Sequence, residues 1–151
     1  MKQLRLYADT SVYGGCFDKE FAEHSLKLVD EIRRGRFLLL VSDTVLLELD
    51  VAPPHVQSLL AELREIPHEQ IEPRQEILAL RNAYVAAGVV GPASLLDAEH
   101  IANATVAGAD LIVSWNFRHI VHFDKIRAYN AVNLMHGYAQ VDIRTPEEVV
   151  E

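Results

Sequence analysis

The chain has 151 residues, half of them hydrophobic and 24 % charged, a composition ordinary for one soluble globular domain with a substantial core. Its 22 acidic and 14 basic residues give a formal charge of −8, which argues against indiscriminate nucleic-acid binding by phosphate neutralisation. A local basic patch remains compatible with that balance, as does divalent metal on clustered carboxylates.

No apolar run approaches the ~20 residues of a membrane span. Met1 to Leu4 leads straight into a strand without a signal-peptide core, so a cytoplasmic protein with no membrane association is expected. The single Cys16 suits a reducing compartment and reads as a small packed residue.

Leu4, Leu6 and Ala8 alternate with Arg5 and Tyr7, the pattern of a strand. The run then stops at an expected turn, which opens on Asp9, Thr10 and Ser11 and reaches the paired glycines Gly14 and Gly15. Asp18 to Arg34 has helical spacing at Phe21, Leu28 and Ile32, and Gly35 ends it. Phe37 to Val41 is a continuous apolar run, as expected for a strand buried on both faces. Ser42, Asp43 or Thr44 caps a helix carrying Val45 to Leu49, and Pro53-Pro54 breaks it and opens another over His55 to Glu65.

Ile66 to Pro73 reads as a connector with room for a short strand. Helices follow over Arg74 to Ala87 and Ser94 to Ala107, stopped by Gly88 and Gly108. Leu111 to Ser114 is a strand, a last long helix spans Asp124 to Gly137, and Thr145-Pro146-Glu147-Glu148 has the form of a helix start. Strands alternating with helices imply a mainly parallel sheet with right-handed crossovers. Residues 1–151 read as one domain.

Four positions bear on chemistry. Asp9 follows a strand, where an open α/β sheet lines its ligand crevice, although Asp and Ser are also common turn formers. Glu48 lies beside the apolar stripe of Val45, Leu49 and Ala52, either at a rim or paired. Asp97 shares an inward face with Ile101 and Ala104, and also sits where a helix dipole favours an acid. Asn116 follows the strand Leu111–Ser114, and its amide oxygen suits a hard cation. A parallel sheet brings such strand and helix ends to one edge. Three acids and an amide there suggest an oxygen-ligand site for Mg²⁺ or Mn²⁺ that activates water for in-line attack on phosphate.

Around these positions, Thr10 and Ser11 are expected to support Asp9, Trp115 to pack, and Asp110 to cap a turn at the opposite end of the sheet. His100, one turn beyond Asp97, is expected to be exposed. His119 and His122 are expected to be solvent-facing or structural. Arg118 and Lys125 are candidates to receive a polyanion, with solvated surface charge as the alternative.

Ala8-Asp9-Thr10-Ser11, Leu47-Glu48-Leu49, Asp97 to Ala102 and Ala109 to Asn116 resemble, in order and spacing across the chain, the successive signatures of PIN domains. These are the small nucleases typified by VapC-type toxins. The resemblance implies a three-layer α/β/α fold, Mg²⁺- or Mn²⁺-dependent cleavage of single-stranded RNA, a homodimer and, for a toxin, an antitoxin protein as partner. It places the acidic site on Asp9, Glu48 and Asp97. Many PIN domains carry Asp where this chain has Asn116, and Ser114-Trp115-Asn116-Phe117-Arg118-His119 resembles a subgroup with Asn there. A haloacid-dehalogenase-like phosphatase would want a second Asp at the place of Ser11. The non-enzymatic alternative is a PIN-like module that binds RNA or protein without cutting.

Overall fold

The computed structural model describes residues 2–151; Met1, at the start of the segment expected to lead into a strand, lies outside them. The strands are β1 (Leu4–Ala8), β2 (Phe37–Val41), β3 (His68–Gln70), β4 (Leu111–Val113) and β5 (Asp142–Arg144). They form one all-parallel sheet in the order β3-β2-β1-β4-β5. Within it Leu6 stands opposite Leu39 on one side and Leu111 on the other. Leu6, Tyr7, Leu40, Val41, Ile112 and Val113 have no solvent exposure, because the three central strands are covered on both faces.

Parallel pairing requires long crossovers, and helices supply them. α1 (Thr10–Gly15) and α2 (Ala22–Arg33) join β1 to β2; α3 (Asp43–Leu49) and α4 (Pro54–Leu63) join β2 to β3. The chain then reverses direction across the sheet. α5 (Gln75–Ala86), a 3₁₀ turn (Pro92–Ser94) and α6 (Leu95–Val106) return it to β4, and α7 (Phe123–Met135) leads to β5 and the terminal α8 (Pro146–Val149). With right-handed crossovers the reversal puts the two sets of helices on opposite faces, giving α/β/α layers. Accordingly α1 touches α2 and α4, whereas α5 touches α6 and α7.

Gly108 ends α6 at φ 71°, a conformation that favours glycine, so the chain can turn sharply into β4. Arg5 fixes that corner by donating to the carbonyls of Gly108 at 2.7 Å and Ala107 at 3.0 Å. Thr145 caps α8 with the reciprocal Thr145–Glu148 box its sequence announces.

Three elements differ from the sequence expectation. The helix expected from Asp18 begins at Ala22, because Asp18 builds a turn instead: its carboxylate accepts from Glu20 N–H at 2.9 Å and its carbonyl from Ala22 N–H at 2.8 Å. Thr10–Gly15 is a short helix rather than a glycine turn. β5 has only Ile143 to bury, and the exposed Arg144–Asp142 pair blunts this edge of the sheet. No helix among the described residues is long and apolar enough to cross a membrane.

Candidate functional site

The strand order reverses at β1: the chain first builds outward through β2 and β3, then returns to place β4 on the other side of β1. The carboxyl ends of β1 and β4 therefore flank the topological switch point, where doubly wound sheets open a crevice. Asp9 leaves β1 there, and its N–H extends the pairing to Val113 O at 3.2 Å.

Asp9 is buried, with both carboxylate oxygens held by serine hydroxyls: Ser11 at 2.5 Å and Ser114 at 2.7 Å. Each of these hydroxyls also accepts a backbone N–H from the loop after β4. Trp115 donates to Ser11 at 2.9 Å and Asn116 to Ser114 at 2.9 Å. An oxygen that accepts an amide proton has its own proton free to donate, so both relays point at the carboxylate. Burial raises the Asp9 pKa, and the nearby Asp97 adds to the rise; the His100 charge and the two serines offset only part of it.

Asp97 stands in the first turn of α6, and its Oδ1 accepts from the Asn116 side-chain amide at 3.1 Å. Asn116 is itself oriented by its turn, because its Oδ1 accepts from His119 N–H at 2.9 Å. The NH₂ therefore faces Asp97, while the oxygen expected to meet a cation is engaged in the loop. Burial raises the Asp97 pKa as well, against the charges of His119 and His100 and the Asn116 hydrogen bond, with Glu48 adding to the rise.

Glu48 is half-buried near the end of α3; Val45 and Leu49 of its stripe are buried, and Ala52 lies beyond the helix. Its Oε1 accepts from Thr10 Oγ1 at 2.7 Å and is paired with His100 Nε2. Burial pushes Glu48 up, but the hydrogen bond and charge of His100, with Thr10, carry it below the ordinary value.

His100 corrects the expectation of exposure: it is buried among the acids, and its Nδ1 lies 2.6 Å from the Tyr7 hydroxyl, which also meets Ser42 at 2.8 Å. Burial alone would lower its pKa; the Glu48 hydrogen bond and the charges of Asp9, Glu48 and Asp97 raise it instead. Sequence reasoning missed His100 as a member of the site, although its position one turn beyond Asp97 was a usable signal.

The surroundings follow the sequence more closely. Trp115 is buried, donates its indole N–H to Ser25 at 2.8 Å and stacks on Phe21. Asp110 lies at the other end of β4, where its carboxylate accepts from Arg5 N–H at 2.8 Å. Cys16 is buried and its thiol is pushed by burial up to about 11, which leaves it protonated and unreactive. His119 is half-buried, with its carbonyl taken by Tyr129, and His122 is exposed. Lys125 donates to Val89 O at 2.5 Å, whereas Arg118 is exposed.

Asp9, Glu48 and Asp97 thus converge around one imidazole, with Asn116 steering Asp97. No group of three His, Cys, Asp or Glu side chains among the described residues is gathered into a ready metal site. The donor chemistry nonetheless suits a hard divalent cation: carboxylates at one edge, two of them raised by burial and by acidic neighbours. No protein-family model matches the chain, and no curated protein matches it.

Proposed function

We propose that the protein is a Mg²⁺- or Mn²⁺-dependent endoribonuclease of the PIN type, hydrolysing phosphodiester bonds of single-stranded RNA. The observation that carries this reading is the convergence of Asp9, Glu48 and Asp97 at the switch point, with Asp9 held by two serine relays. The ordered PIN-like motifs of the chain support it. Such a cation, when bound, supplies a nucleophilic water at neutral pH and charge stabilisation at the phosphate.

Asp9 and Asp97 are the residues to hold it, because both are carboxylates short of positive charge. Glu48 either joins them as a ligand or orients the attacking water. Asn116 keeps Asp97 turned toward the site and offers its own oxygen as a ligand only if the amide leaves the His119 N–H. Ser11 and Ser114 fix the plane of the Asp9 carboxylate. In the same reading the protein acts in the cytoplasm, forms a homodimer and, as a toxin, is held by an antitoxin protein.

The test is cleavage of mixed single-stranded RNA with Mn²⁺ by the wild type beside Asp9→Ala and Asp97→Ala. Only the wild type is expected to cut. Equal cleavage by all three would assign the activity to a contaminant or another site.

A second reading, a PIN-like module that binds RNA or protein without cutting, is favoured by the His100–Glu48 pair. That pair sets an imidazole among the acids, whose positive charge when protonated lessens the need for a cation. Binding without cleavage at any Mn²⁺ concentration would select it.

A further inference from the structure

The loop after β4 carries an aromatic cluster that the acidic site does not use. Trp115 is its foundation. Its ring stacks on Phe21 at 4.6 Å, its indole N–H is held by Ser25, and it lies so close over Gly15 that a Cβ there would come within 2.9 Å of it. Phe117 stands on this foundation, its ring centroid 6.1 Å from Trp115 and 6.3 Å from Phe21, and is half-exposed.

The backbone beneath Phe117 is pinned. Its N–H donates to Trp115 O at 3.0 Å, and Asn116 O accepts from Ile120 and Val121. Arg118, the next residue, is exposed. The platform is also coupled to the acids: Trp115 N–H holds the Ser11 hydroxyl that holds Asp9, and Asn116 holds Asp97.

We propose that Phe117 is a nucleobase platform, on which one base of a single-stranded RNA stacks while the adjoining phosphate lies at the Asp9–Asp97 edge. This inference rests on the nuclease reading for the identity of the polymer. A chain of net charge −8 gains little from neutralising phosphates, so its affinity for a strand must come largely from other contacts. Base stacking is such a contact, and it tolerates any sequence because every base has a π-face. A duplex has its bases already stacked on one another, so the platform selects single strands. The backbone that carries the ring is already hydrogen-bonded, so little main-chain freedom is lost on binding. Phe117 is a positioning residue: it places the strand and takes no part in bond breaking.

The experiment uses fluorescence anisotropy with a fluorescein-labelled single-stranded RNA of about 12 nucleotides, in EDTA to prevent cleavage. The proteins are the wild type, Phe117→Ala and Phe117→Trp. Phe117→Ala is expected to bind about tenfold more weakly while still melting cooperatively, and Phe117→Trp to bind within about twofold of the wild type. An RNA of the same length with abasic sites throughout should bind the wild type no better than the base-bearing RNA binds Phe117→Ala. In Mn²⁺, Phe117→Ala should raise KM and leave kcat nearly unchanged.

Equal RNA affinity of wild type and Phe117→Ala overturns the platform, as does wild-type affinity that ignores loss of the bases or a wild type that binds no RNA. The nuclease reading fails separately. A wild type that binds through Phe117 but never cuts overturns the nuclease and leaves the platform standing. A wild type that cuts while Phe117→Ala binds and cuts equally well does the reverse.

Discussion

Ser114→Ala tests whether the hydroxyl relays serve an ionised Asp9. Ser114 is fully buried, donates to Asp9 Oδ2 at 2.7 Å and accepts from Asn116 N–H. Its removal deletes a hydrogen bond to a charged group, worth about 1.5–3 kcal/mol, and orphans an amide at a further cost of about 1 kcal/mol. The variant should therefore lose about 2.5–4 kcal/mol at a pH above the raised folded pKa of Asp9, where the carboxyl is ionised.

The sign of the pH dependence follows from the direction of the Asp9 shift. A carboxyl whose folded pKa is raised binds its proton more tightly in the folded state, so stability falls as pH rises from 3.8 through the folded value. Ser114 is one of the groups that lower that value, and removing it widens the window. The penalty should shrink to about 1.5–2.5 kcal/mol at a pH below that value, where the protonated carboxyl needs only a neutral hydrogen bond. Urea unfolding of both proteins at the two pH values, with unchanged m, reads the difference directly. An equal penalty at both, or one below about 0.5 kcal/mol at the higher pH, would refute the claim that this hydroxyl stabilises a charge.

Two further substitutions have defined outcomes. Asn116→Asp replaces an amide donor 3.1 Å from Asp97 with a like charge, so the metal-free protein should lose about 1–3 kcal/mol while the Mn²⁺-induced rise in melting temperature grows beyond that of the wild type. A variant as stable as the wild type without metal would detach Asn116 from Asp97. Gly15→Ala, which at an open helix position would stabilise by about 1 kcal/mol, should here destabilise by about 1–3 kcal/mol and alter tryptophan fluorescence. The reason is that its Cβ meets Ser25 Oγ at 2.8 Å and Trp115 Cδ1 at 2.9 Å; a melting temperature at or above the wild type would show that the Trp115 seat is not tight.

The sheet was legible wherever a strand is buried on both faces, because an apolar run such as Phe37–Val41 has few alternatives. The long helices were legible from their periodicity and the glycines that end them. β5 was not, since an edge strand of three residues with one buried side chain has no period to detect. α1 was hidden for a different reason. Glycines 14 and 15 predict a turn from local preference, and only the packing of Gly15 beneath Trp115, a partner 100 positions away in the chain, shows why glycine is needed there.

The candidate site divides in the same way. Asp9, Glu48 and Asp97 announce themselves as carboxylates at strand and helix ends on an apolar background. The groups that orient them do not. Ser11, two residues from Asp9, is the exception, since support of that carboxylate is expected of it; Ser114 is an ordinary turn residue until the amide of Asn116 fixes its proton. His100 is an ordinary helix histidine until the fold lays Glu48 against it. Sequence locates the charge; tertiary contacts decide where each proton points.

That division bears on how a cation would enter. Among the three acids of the site His100 is bonded to Glu48 alone, and of those three only Glu48 has its pKa lowered. Asp9 and Asp97 share only the longer-range field of His100, and both remain raised. The electrostatic gain from a divalent ion is therefore greatest between these two aspartates. Recruiting Glu48 as a further ligand would mean breaking its bond to His100 Nε2. In the nuclease reading Asp9 and Asp97 would hold the ion, and Glu48, once parted from His100, would be the carboxylate left to orient water.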